Sequence, residues 1–267
     1  MMFDTSKSGG CTERVNYLKR GFLFYMCASC MLLAQFAIYL VNSNYWESLN
    51  FVGGFYYLMA ALGQAFLFNL IPWVILYIPF TWWRQMRKVG TILFTCAIFL
   101  LNVLAYLNGI VFQLYKFHIN GFVLDLAFGG GGNQVFVFNN TLVLHGVLIG
   151  LLILLFTLAV VFIAYRYARY VTSKQVKIGI YLFLFSCIAP QLTHAYAAAA
   201  NVNSITEVSA CLPQFYPLTA NRLMLKLGVV KKEDLYVNNP DKGKGHSFVY
   251  PLHPLEKVDS VKPLNII

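Results

Sequence analysis

The sequence predicts an all-α membrane protein of five transmembrane helices, with its N-terminus in the cytoplasm and its C-terminal tail in the periplasm. Three observations lead there. Of 267 residues, 59% are hydrophobic and 11% charged, against roughly a quarter charged in soluble domains. Five apolar runs reach the ~20 residues that a hydrocarbon core of about 30 Å requires at 1.5 Å per residue. The lysines and arginines collect on one side of those runs.

The first run, 21–41, follows a polar N-terminal segment and lacks a small-residue cleavage site, so it reads as a retained span rather than a signal peptide. The second, 55–80, contains Pro72 and Pro79 and is closed by Trp82 and Trp83. Proline lacks the N–H that an α-helix needs, so a kink is expected near the far end, with the tryptophans at the interface. The third run is 89–112, the fourth 141–165 and the fifth 178–200. Together residues 1–200 form the membrane domain and 201–267 a juxtamembrane helix and linker.

The N-terminal segment, the turn RQMRKVG and the segment RYARYVTSKQVK carry eleven Lys or Arg, whereas the opposite short loops carry one, Lys116. Positive residues are retained in the cytoplasm, which sets the orientation. A formal charge of +10 distributed in this way describes topology rather than nucleic-acid binding. Cys27 and Cys30 have redox-motif spacing, but a thiolate inside hydrocarbon is strongly disfavoured, so both are expected to be packing residues.

Between the third and fourth runs, Phe117, Ile119, Phe122, Val123, Leu124 and Leu126 are spaced like a short interfacial helix. His118 and Asp125 are a candidate polar pair on it. Gly129–Gly132 reads as a flexible turn, since no Gly-Lys-Ser/Thr follows. Asn139-Asn140-Thr141 fits a glycosylation sequon that lies close to the membrane. Inside the spans the ionisable inventory is His145 and His194, both near the outer interface, and hydrogen-bonded packing is expected for each. Absence of mid-span charge argues against an ion pathway. No metal-ligand spacing, paired carboxylates or nucleophile with a base in fixed register occurs, so no catalytic residue, metal or cofactor is expected.

The stretch CLPQFYPLTANRLMLKLG, 211–228, divides the lipid-soluble part of the chain from the polar tail. Pro213 and Pro217 forbid continuation of the fifth helix, Thr219 is placed to cap a short new helix, and Gly228 ends it. Arg222 and Lys226, four residues apart, then share one face beside Leu223 and Leu227. A basic, half-apolar helix at a membrane surface suits an acidic lipid headgroup. Farther on, the tail has linker composition, and SVKPLNII, 260–267, reads as the lead-in to a buried strand.

Four segments, FQLYKFHINGFVLDLAFGGGGN (112–133), THAYAAAANVNSITEV (193–208), LPQFYPLTANRLMLKLGVV (212–230) and YPLHPLE (250–256), resemble in order one family. It is the DUF3413 membrane domain of the PbgA/YejM sulfatase-like inner-membrane proteins of Gram-negative bacteria. The resemblance implies a chain that stops where a periplasmic sulfatase-like domain begins. It implies binding of acidic lipid, lipid A of lipopolysaccharide or cardiolipin, and control of outer-membrane lipid homeostasis through an inner-membrane regulatory protein governing lipopolysaccharide synthesis. The family's Thr-Ala-Arg-Arg lipid-A pattern aligns with Thr219, Ala220, Asn221 and Arg222, with Asn221 replacing an arginine; the acidic position after His194-Ala195-Tyr196-Ala197 is Ala198. The expected lipid site is therefore Thr219, Asn221, Arg222 and Lys226, with free N–H groups at the start of the short helix, and with Phe215 and Tyr216 beside the acyl chains. The alternative is the anchor half of a phosphoethanolamine- or glycerol-phosphate-transferase-like enzyme.

Overall fold

The structure, a computed structural model, describes residues 5–47, 49–129, 140–213 and 215–229, with 5–11, 127 and 142 described by backbone alone. Gly130–Gly132, Asn139, the tail linker and the strand lead-in at 260–267 lie outside the described residues.

Among the described residues the secondary structure is entirely helical. Helix α1 runs Thr5–Val41, α2 Phe51–Pro72, α3 Arg87–Tyr115, α4 Gly121–Phe128, α5 Asn140–Tyr167, α6 Ser173–Ala199, α7 Asn203–Thr206 and α8 Asn221–Lys226. Five stretches are long and apolar enough to cross a membrane: Thr12–Val41, Phe51–Thr81, Arg84–Tyr115, Val143–Tyr170 and Ser173–Ala199. The chain is thus an all-α, multi-pass membrane protein.

Local chemistry explains the ends. Asn50 caps α2 by accepting from the Gly53 N–H at 2.7 Å. Thr172 and Gln175 form a reciprocal capping box that starts α6 at Ser173, five residues before the apolar run proper. Beyond Pro72 the α-helix gives way to a π turn, Trp73–Tyr77, and a 3₁₀ turn, Ile78–Thr81. The departure from α geometry therefore falls where Pro72 and Pro79 remove donors. Trp82 and Trp83 follow, both exposed.

The core is aromatic and built around α1. Tyr17 stacks on Tyr77 with ring centroids 4.2 Å apart, and each hydroxyl donates to the other residue's backbone carbonyl, at 3.3 and 2.9 Å. Side-chain amides tie the helices together within the apolar region: Gln35 donates to Asn102 at 2.7 Å and Asn69 to Ser29 Oγ at 3.2 Å. Such bonds contribute roughly 0.6–2 kcal/mol each between membrane helices. Helices α5 and α6 are the least buried of the spans, their large apolar side chains mostly exposed on the bundle surface where lipid would lie. Contrary to the packing expectation, Cys30 is exposed on α1, while Cys27 is half-buried; a small apolar thiol is tolerated on a lipid-facing surface, so burial is not required of it.

Candidate functional site

The far end of α6 determines how the tail meets the bundle. At Asn201 the backbone turns left-handed, φ 54°, and the Val202 N–H reaches back to the Ala197 carbonyl at 2.9 Å. This closes the helix as Asn can and most residues cannot. The chain then folds back onto the membrane domain. Ile205, Val208, Cys211 and Leu212 are buried with Phe36, Tyr56 and Tyr57, and Gln64 Nε2 donates to the Pro213 carbonyl at 3.0 Å. Burial pushes the Cys211 thiol above its ordinary pKa.

Past Pro213 the chain lies along α6. The Leu218 N–H donates to Gln191 Oε1 at 2.7 Å, and the Leu218 carbonyl lies 3.1 Å from His194 Nδ1. Both polar groups of one peptide residue are therefore held by two side chains of the last span. His194 is buried and hydrogen-bonded, and His145 is exposed on α5, so hydrogen-bonded packing holds for the first and not the second.

This tether sets where the short helix starts. Thr219 does not cap the short helix: α8 begins at Asn221, after Ala220, without a side-chain cap bond. With Leu218 held by Gln191 and His194, the turn into helix falls after Ala220, one residue too late for Thr219 to be the cap. The other end is as expected. Gly228 is left-handed, φ 67°, with Gly228 N–H to Leu225 and Val229 N–H to Met224, both 3.1 Å, the two bonds of a Schellman motif.

The site residues divide into two groups. Thr219, Asn221, Arg222 and Lys226 are all exposed around α8, which packs on α6. Neither Arg222 nor Lys226 has a hydrogen bond or ion pair among the described residues. Phe215 and Tyr216 instead face a cavity of about 470 Å³ shared with Phe117, His118, Ile119 and Ala210. Phe215 is packed against the core, and Tyr216 is 84% exposed. Through Ile119 this cavity adjoins an apolar one of about 330 Å³ between α1, α2 and α3, lined by Leu32, Phe36, Phe68, Leu101 and Leu124.

A short helix, α4, forms in the loop after α3, with Asn120 as its cap. Phe117 and Ile119 lie in the loop leading into it, and Phe122, Leu124 and Phe128 are exposed. His118 does not pair with Asp125. Its ring stacks on Phe112 with centroids 4.6 Å apart, Nδ1 lies 2.9 Å from Asn108 Nδ2, and Nε2 lies 3.1 Å from the Ala210 carbonyl. Burial lowers the pKa of His118 below the ordinary histidine value.

A family model for a domain of unknown function, DUF3413, matches residues 12–257. The chain belongs to the DUF3413 family. No curated protein matches it. In this DUF3413 chain, the residues that a reading confined to charged groups overlooks are amides: Gln64, Asn108 and Gln191 each hold a backbone group of the loops that build the site. Isolated Asn and Gln within apolar runs were the available signal, because an amide in hydrocarbon needs a partner. Among the described residues no group of three or more His, Cys, Asp or Glu could hold a metal ion.

Proposed function

We propose that this DUF3413 chain is a non-catalytic inner-membrane domain that binds an acidic lipid, lipid A or cardiolipin, at its periplasmic face, and that it regulates outer-membrane lipid homeostasis. The observation that carries this reading is the Arg222–Lys226 pair. Both cations are exposed, lie one helical turn apart beside exposed Leu223 and Leu227, and have no protein partner among the described residues. Two basic side chains on one face suit a phosphate, the arginine by its planar fork and the lysine as a point charge. The tether of Leu218 to Gln191 and His194 supports the reading too, since it holds the segment before α8 against the end of a span.

On this reading Thr219 and Asn221 add hydrogen bonds to the headgroup, and Tyr216 and Phe215 contribute to its apolar surroundings. The sulfatase-like domain and an inner-membrane regulatory protein are the proposed partners. Lipid co-purified with the full chain and identified by mass spectrometry tests the site. At about 1 kcal/mol per basic residue near an anionic surface, Arg222→Ala with Lys226→Ala should lower lipid affinity about 30-fold. Unchanged occupancy in the double variant would remove the assignment.

A further inference from the structure

The opposite end of the bundle holds a second basic site. Arg20 of α1, Arg166 of α5 and Arg169 of the following 3₁₀ turn, Ala168–Tyr170, converge on a cavity of about 330 Å³, whose wall includes Asn16 and Tyr165. The rings beside them position the guanidinium groups without neutralising them. Arg20 lies 4.8 Å from the Tyr165 ring centroid and Arg169 4.7 Å from that of Tyr170, and Arg169 also donates to Tyr170 Oη at 2.7 Å.

Among the described residues the charge of this group is uncompensated. At this end Glu13 is engaged by Arg84 at 2.8 Å and by Arg87 at 3.4 Å. Among the described residues, no carboxylate is paired with Arg20, Arg166 or Arg169. Three cations around one hollow repel one another, and a bound anion converts that repulsion into attraction. Guanidinium forks are matched to phosphate oxygens.

What flanks the hollow selects the anion. The Ala168–Tyr170 turn packs against α1. Its other flank borders an apolar cavity of about 360 Å³, bounded by Phe22, Met26, Tyr167, Tyr170, Ile178 and Leu182. A headgroup-sized basic hollow and a chain-sized apolar one thus share a single turn. Tyr165, Tyr167 and Tyr170 are exposed around it, as interfacial tyrosines are. We propose that these paired cavities form a second lipid site, separate from Arg222 and Lys226, which takes the phosphate headgroup of an anionic phospholipid and one of its acyl chains.

The full-length chain in detergent, titrated separately with phosphatidylglycerol, phosphatidylcholine of the same chain length and inorganic phosphate, tests this by native mass spectrometry and thermal unfolding. Phosphatidylglycerol should be retained and raise Tm, and the other two should do neither. Arg166→Gln with Arg169→Gln should weaken phosphatidylglycerol binding at least about tenfold, in keeping with two headgroup contacts, and by about the same factor when Arg222→Ala with Lys226→Ala has already removed the α8 pair. Both exchanged arginines are exposed and contact neighbouring tyrosines, so the variant should fold; Arg20→Lys, which keeps the charge and removes the fork, supplies an independent readout and should also weaken binding. Equal effects of the two phospholipids, unchanged affinity in the arginine variants, or stabilisation by inorganic phosphate equal to that by phosphatidylglycerol would each overturn the proposal.

Discussion

Asn108 uses every hydrogen-bonding atom of its side chain on a different partner. Oδ1 accepts from the Ile119 N–H at 2.7 Å, and Nδ2 faces His118 Nδ1 at 2.9 Å and Tyr39 Oη at 3.5 Å. Because a backbone N–H can only donate, the amide oxygen must face Ile119 and the amine must face His118. His118 therefore accepts at Nδ1 and donates from Nε2 to Ala210, which is the neutral ring in a single tautomer. Protonation would set N–H against N–H, in the same direction as the burial that already depresses this pKa. A folded pKa below the unfolded ~6.5 gives stability that is complete above about pH 6.5 and lost as pH falls through the folded pKa. The Tm of the detergent-solubilised chain should fall between pH 7.5 and 5, and His118→Gln should flatten that dependence; an identical slope in the variant would remove His118 as its source. His118 stood out in the sequence as half of a candidate polar pair, but its actual partner did not. Asp125 was the nearest acid in sequence, whereas Asn108, ten residues earlier in the third run, becomes the neighbour only once the chain turns left-handed at Lys116, φ 59°.

At the scale of elements, α2 is the helix most sensitive to side-chain size. A Cβ on Gly63 would overlap the Ser186 carbonyl of α6, and one on Gly53 would overlap the Ser204 carbonyl of α7. Neither obstacle is a flexible side chain, so backbones must separate. Gly63→Ala should cost about 1–3 kcal/mol, the range for forcing an extra methyl group into a packed interior, read as lost resistance to thermal or SDS unfolding. Gly146→Ala on α5, where a Cβ would meet nothing within 4 Å, should be neutral or stabilising by up to about 1 kcal/mol through helix propensity. Equal losses at both positions would show that these costs do not arise from the α2–α6 contact. The existence of the long helices was readable because each is continuously apolar over a membrane thickness, and the irregular end of α2 because proline forbids α bonding. The start of α8 was not, since it depends on Gln191 and His194 reaching Leu218 from another element. The helices α7 and the 3₁₀ turn before Leu212, which carry the tail back into the core, are four residues each, too short for a periodicity to register.

For the whole molecule, charge and architecture agree on two unlike ends. One gathers Glu13 with Arg84 and Arg87, and Arg20 with Arg166 and Arg169. The other has Lys116, whose ammonium donates to the Asn42 carbonyl at 3.2 Å, and the α8 pair. Short loops rich in Lys and Arg resist translocation, so eleven Lys or Arg in one set of short segments against one in the other predict that the first set lies in the cytoplasm. A cysteine-free version of the chain bearing either Asp125→Cys on α4 or Lys174→Cys at the start of α6, both exposed positions, tests this orientation with a membrane-impermeant maleimide on spheroplasts. Asp125→Cys should label in intact spheroplasts and Lys174→Cys only after permeabilisation. The opposite pattern would reverse the topology and, with it, the leaflet each site meets. Arg222 and Lys226 would then face the cytoplasmic leaflet and lose lipid A as a ligand, and the three arginines around the other hollow would face the periplasmic leaflet. Orientation therefore decides which lipid each end can meet, whereas the phosphate-binding chemistry at either end is unchanged by it.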